Sequence, residues 1–177
     1  MSKARTANLL GALAGAVVGE FEAPLKAHPN QNTSSVAALK LIADAEGCSN
    51  AELSQALRLS HPATVRLVDK LESAGLVESR AGTDRRAVAL HLTEDGRRRV
   101  RALLDERARA LDAVVDLLPT EQRRQLDRIA ETLLRAMTGS PLAGAHICRL
   151  CDEHACPAGR CPVHQRAVEL LPQTDHA

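Results

Sequence analysis

The chain has 177 residues, 45% of them hydrophobic, and a single aromatic residue, Phe21. That is enough for one domain with an appendage and a core of Leu, Val, Ala and Ile. It excludes the aromatic stacking platforms on which single-stranded nucleic acids are usually held. The net charge is only +1, but residues 58–109 carry 12 basic against 8 acidic side chains, while the segments on either side are slightly acidic. Positive charge therefore gathers in the middle of the chain, as a phosphate-facing surface requires.

Residues 7–18, ANLLGALAGAVV, follow Lys3 and Arg5. The run is short of the roughly 20 apolar residues that a bilayer span needs. Glu20 and Glu22 follow it without a small-residue cleavage pattern. Leu10, Leu13, Val17 and Phe21 fall at helical spacing, so the segment reads as a first helix over about 5–26 that packs in a core or a dimer interface. Gly11, Gly15 and Gly19 recur every four residues and would let another helix approach closely. With no export signal and no membrane partner, the expected compartment is a reducing cytoplasm. There the five cysteines are thiols or metal ligands before they are disulfides.

Residues 28–33 read as a loop, followed by a helix over about 34–45 that carries Val36, Leu39, Leu41 and Ile42 and ends at Gly47. Ser49 and Glu52 have capping-box spacing, which predicts a third helix over 50–57 burying Leu53, Ala56 and Leu57. Arg58 and Leu59 form the turn. Ser60 caps a fourth helix, with Pro62 tolerated in its first turn, Val65, Val68 and Leu71 facing inward, and Gly75 as a left-handed cap. Residues 75–93, GLVESRAGTDRRAVALHLT, then form two short strands around a charged tip at 81–86, a β-hairpin wing. Two short helices, a tight turn and a basic wing make a device for holding duplex DNA.

Thr93 caps a long helix reaching about 118, with Leu103, Leu104, Leu111, Val114, Val115 and Leu118 on its apolar stripe. Pro119 and Thr120 break and restart the chain. A last long helix carries Leu126, Ile129, Leu133, Leu134 and Met137. Such stripes cannot be buried by a small winged domain alone. A two-fold homodimer buries them and sets two recognition helices about one DNA turn apart, for a pseudo-palindromic site. The expected fold is mainly α with a small β-wing: a winged helix-turn-helix dimerised through its N- and C-terminal helices. Its parts are an N-terminal dimerisation helix (1–33), a winged helix DNA-binding domain (34–92), C-terminal dimerisation helices (93–139) and a Cys-rich tail (140–177).

From about Leu9 to Met137 the chain resembles the MarR family of winged helix regulators. The resemblance rests on LSQALRLSHPATVRLVDKLESAGLVESR followed by TDRRAVALHLTEDGRR, with the run from Asp84 to Gly96 as its most specific part. It implies a homodimeric bacterial transcription factor, usually a repressor, released from DNA by a small ligand, a metal or oxidation. Carried onto this chain, it implies that Asp84 fixes the wing backbone. Arg86 would enter the minor groove, and Arg85 would lie on phosphate or in the same groove. Arg80 joins them on the stem of the wing. Ser60, His61, Pro62, Thr64, Arg66 and Lys70 lie at the start of the fourth helix or away from its apolar stripe. Arg66 suits a guanine edge, and Ser60, Thr64 and Lys70 suit phosphates or bases. Relatives controlled by small molecules often line their pocket with aromatics, of which only Phe21 is present here.

The tail departs from that family. Residues 146–164, HICRLCDEHACPAGRCPVH, place Cys148, Cys151, Cys156 and Cys161 in a C-x2-C-x4-C-x4-C pattern. Four soft ligands in so short a loop can enclose one tetrahedral ion, as in zinc knuckles. The Cys-Pro pairs at 156–157 and 161–162 also suit an iron–sulfur cluster. Zinc is placed ahead of iron–sulfur, with metal-free redox thiols third and His146, His154 and His164 as reserve ligands. Cys48 stands alone and reads as a small buried hydrophobe. The leading expectation is a DNA-binding transcriptional regulator, not an enzyme, with one metal centre per chain, open to control by metal, redox state or a small-molecule effector. The alternatives are a thiol/disulfide redox protein using Cys148 and Cys151, which lacks the βαβ setting such sites usually have, and a winged helix that binds only protein.

Overall fold

The computed structural model describes residues 2–26, 32–81 and 88–171. Within them lie α1 (Lys3–Lys26), α2 (Thr33–Asp44), α3 (Asn50–Leu57), α4 (His61–Ser73), β1 (Val77–Ala81), β2 (Val88–Leu92), α5 (Glu94–Val115), α6 (Thr120–Met137), α7 (Pro141–Cys148) and α8 (Pro162–Glu169). The architecture is the mainly helical winged helix-turn-helix expected from the sequence, with one two-stranded antiparallel sheet.

Local chemistry sets the boundaries. The Asn32 side chain accepts from the Ser35 amide, so α2 starts one residue before the expected position. At α3 both halves of the capping box form: Ser49 accepts from the Glu52 amide, and the Glu52 carboxylate accepts from the Ser49 amide. Those bonds hold the Glu52 carboxyl below its ordinary pKa. Arg58, at φ 55, closes α3 in the left-handed region. Ser60 caps α4 with Pro62 in the first turn. Gly75, at φ +69, releases the chain from α4 into the wing while Leu76 N donates to Leu71 O.

The wing pairs Val77 with Leu92 at its base and Ala81 with Val88 toward its tip. The loop before α3 braces it from the other side. Leu90 N donates to Cys48 O and Gly47 N to Leu90 O, both at 2.9 Å. A tight seam then joins wing to helix. Thr93 Oγ1 donates to Gly75 O at 2.6 Å and accepts from Gly96 N at 3.0 Å, capping α5. A Cβ on Gly96 would stand 2.0 Å from the Leu76 carbonyl oxygen. The Leu-Thr-x-x-Gly run is thus a packing requirement where α5 crosses the start of the wing.

The core joins Leu39 and Ile42 of α2, Leu53 of α3, Val68 and Leu71 of α4, Leu90 and Leu92 of β2, and Val100 and Leu103 of α5. Each such side chain stabilises the fold by about 1.5–3 kcal/mol through burial. Two expectations need correction here. The inward face of α4 is Thr64, Val68 and Leu71, with Val65 only half-buried. Thr64 is completely buried because its hydroxyl donates to the Ser60 carbonyl, satisfying itself within the helix. And α5 ends at Val115, not near 118, because the backbone tightens at Asp116–Leu118 before Pro119.

The outer helices are otherwise placed. Helix α1 packs on α5, with the Arg107 guanidinium 5.4 Å from the centre of the Phe21 ring. Its Leu9, Leu10 and Leu13 remain about half exposed, and the Gly11, Gly15 and Gly19 face is open. Helix α6 buries none of its residues. The tail folds back: α7 packs on α3 and α8, α8 packs on α6, and Leu150 enters the main core. Among the described residues, no helix is long and apolar enough to cross a membrane.

Candidate nucleic-acid interface

The second helix of the helix-turn-helix presents its polar face outward because its apolar stripe is committed to the core. Ser60, His61, Pro62, Arg66 and Lys70 are exposed. Ser60 Oγ accepts from Ala63 N at 3.4 Å, which leaves the hydroxyl proton free to donate. Arg66 and Lys70, one turn apart, line an open groove of about 410 Å³ with Asn32, Ser34 and Ser35 at the start of α2. Two cations thus stand beside the positive end of a helix, a combination suited to phosphate oxygens and base-edge acceptors. Asn32 and Ser34 were not singled out from the sequence, although the cap-like run NTSS was the available signal. Thr64, expected among the contact residues, points into the core and cannot take that part.

Charge pairing is uneven along the basic segment. Arg97 pairs with Glu46, Arg98 with Asp95, and Arg101 with Glu94, so much of the excess positive charge is engaged within the fold. Among the described residues, Arg66 and Lys70 have no ion-pair partner. Arg80 is exposed on β1 and its Nε donates to Glu78 at 3.0 Å. Such an exposed pair is worth little, so the arginine can exchange partners. Ser79 bonds Glu72, tying the stem of the wing to α4. Asp84, Arg85 and Arg86 lie outside the described residues.

The four tail cysteines come together. Cys148 ends α7, and a turn brings Cys151 N to Cys148 O at 2.8 Å. Cys156 N donates to Asp152 O at 3.0 Å. Cys161 caps α8, its Sγ accepting from His164 N at 3.4 Å. The Cys148 thiol interacts electrostatically with those of Cys151 and Cys161, and Cys161 with Cys156. All four line one cavity of about 390 Å³ together with His164. Interaction with Cys148 pulls the pKa of Cys151 down to about 6, helped by Arg107, Lys40 and Arg149, and pushes that of Cys148 up. Among the described residues no three His, Cys, Asp or Glu close into a ligand shell as they are placed. Of the reserve ligands, His146 is turned away, its Nδ1 3.2 Å from Ala56 O, and His154 lines a different cavity. Cys48 stays apart, half-buried against the core, where burial raises its pKa.

Comparison with known proteins agrees with this geometry. Residues 32–87 match the MarR family. Over 84 residues the chain is 37% identical to the transcriptional repressor MprA of Escherichia coli K12, a match covering 47% of this chain and 48% of that protein. The chain thus spans about half the length of the curated relatives it matches. Among solved structures, a MarR family protein from Bacillus stearothermophilus superposes with a TM-score of 0.67 at 26% identity, covering 78% of this chain and 99% of that one. Streptococcus pneumoniae FabT, solved in complex with DNA, gives 0.66 at 20% identity, covering 75% and 94%.

Proposed function

The chain belongs to the MarR family of winged helix proteins, and on that premise we propose that it is a transcriptional regulator, in the manner of a repressor, that reads duplex DNA as a homodimer. The observation that carries this reading is the exposed Arg66–Lys70 face of α4, without ion-pair partners among the described residues, beside the N-terminus of α2. Its apolar opposite face is locked in the core, so the helix is free to enter a major groove. The capping box and the left-handed Arg58 set the angle between α3 and α4. Arg80 and the wing arginines Arg85 and Arg86 extend the contact along the backbone or into the minor groove.

A second copy completes the assembly. Leu126, Ile129, Leu133 and Met137 of α6 recur at helical spacing and are exposed, and Leu9, Leu10 and Leu13 of α1 add to the uncovered area. Apolar faces of this size on both terminal helices call for a partner, and a two-fold copy supplies the same face in return.

The test is selection of bound duplexes from a random pool, followed by affinity measurements across a salt series. The reading expects a pseudo-palindromic preference and a steep salt dependence. Arg66→Ala should cost about 1–3 kcal/mol and relax the preference at one position. Arg86→Ala should lower the salt slope by about one contact. No preference for any duplex, with binding to protein partners instead, would replace this reading with that of a protein-binding winged helix.

A further inference from the structure

The cysteine cluster is the one concentration of metal-seeking side chains among the described residues that DNA reading leaves unused. Three separate pieces of backbone deliver it: the end of α7, the turn through Cys151 and Cys156, and the cap of α8. These pieces are held independently of the sulfurs. Gly144 lets α7 lie against Val163 and Ala167 of α8, where an added Cβ would stand only 3.3 Å from each. Arg135 of α6 donates to both carboxylate oxygens of Glu169 at 2.6 and 2.8 Å. The scaffold therefore points four thiols into one cavity before any ligand arrives.

Scale and charge suit a single bound ion. With zinc–sulfur bonds of about 2.3 Å, a tetrahedral site sets its sulfurs slightly under 4 Å apart, and all four cysteines already line one cavity. An iron–sulfur cluster spaces its cysteines around a multi-atom core and requires a wider opening. Four thiolates on one zinc ion leave a double negative charge, and Lys40, Arg107 and Arg149 are the cations acting on Cys151. Lys40 is itself nearly buried, between Asp44 at 2.5 Å and Glu153 at 3.8 Å.

We propose that Cys148, Cys151, Cys156 and Cys161 bind one zinc ion as a tetrahedral tetrathiolate. The ion replaces the thiol protons, which pass to solvent, and no electron changes hands. Cys156, the exposed member of the set, completes the shell. The site then staples residues 148–161 in place, holding Leu150 in the core and the His146–Ala56 bond between α7 and α3. Through α3 it braces the helix that precedes α4. That last consequence rests on the DNA-binding reading; the metal site does not.

The experiment is metal and acid-labile sulfide analysis of the full chain purified without chelator or oxygen, repeated after exchange with cobalt(II). The expected result is about one zinc per chain, no iron or sulfide, and the visible bands of a tetrahedral cobalt–thiolate centre. The Cys148→Ser/Cys151→Ser double variant should fall from one equivalent of zinc to none while keeping its helical circular dichroism. Should the variant not fold, the cobalt spectrum of the unaltered protein still reads ligand type and number. Iron with sulfide, a metal-free chain with four titratable tail thiols, or zinc retained by the double variant would each overturn the proposal. Loss of duplex binding with the zinc site intact would count against the DNA reading and leave the metal site standing.

Discussion

Val68 and Leu71 of α4 are 2% and 3% exposed, whereas Ile129 and Met137 of α6 are 57% and 68% exposed. Both helices are amphipathic, and both repeat their apolar residues every three or four positions. The difference lies in what surrounds them. Helix α4 sits between α3 and β1, and its stripe joins the main core. Helix α6 follows Pro119, and among the described residues its main packing partner is α8. Periodicity therefore tells which face is apolar, but not whether that face is covered by the same chain or by a second one. On the proposed function, the covered helix offers its polar face to DNA and the uncovered helix offers its apolar face to a second copy.

The largest effect is expected from Ile129→Asp combined with Leu133→Asp. Sedimentation should show a monomer, and affinity for a two-half-site duplex should fall by about 100- to 10,000-fold as the second half-site contact is lost. An unchanged dimer would remove α6 from the interface. Next comes Leu39→Ala, buried entirely within the chain. It should cost about 2–5 kcal/mol in denaturant unfolding and weaken the isolated fold without a specific effect on assembly.

Gly96→Ala tests the seam between wing and α5. With a backbone oxygen so close, the added methyl should cost about 1–3 kcal/mol and appear as a lowered thermal midpoint; a neutral result would mean that the seam yields easily. The smallest effect is Ser49→Ala, about 0.5–2 kcal/mol through loss of the α3 cap. The same cap carries an acid signature. Because the folded pKa of Glu52 is lowered, its contribution is present above the ordinary carboxylate range and disappears as pH falls through the folded value. Ser49→Ala should flatten that part of the stability profile.

Much of the winged helix was legible because its signals are local. Ser49 and Glu52, Ser60 with Pro62, Gly75 and Thr93 each fix an element boundary through bonds to the next few residues. Thr64 was not legible, because a threonine that satisfies its own hydroxyl within the helix behaves as an apolar residue. The groove at Asn32 and Ser34 was missed because it depends on α2 meeting α4 across the fold. The tail was only half legible. Spacing showed four cysteines able to share a ligand, but that Leu150 enters the core and His146 reaches Ala56 depends on contacts about 90 residues apart.

The most direct test of the account is the stoichiometry and footprint of the full chain on its selected duplex. The account predicts two chains per duplex and two protected segments centred about one helical turn apart, with the monomeric α6 variant protecting a single segment weakly. One unaltered chain per duplex, or equal binding to single strands, would contradict it.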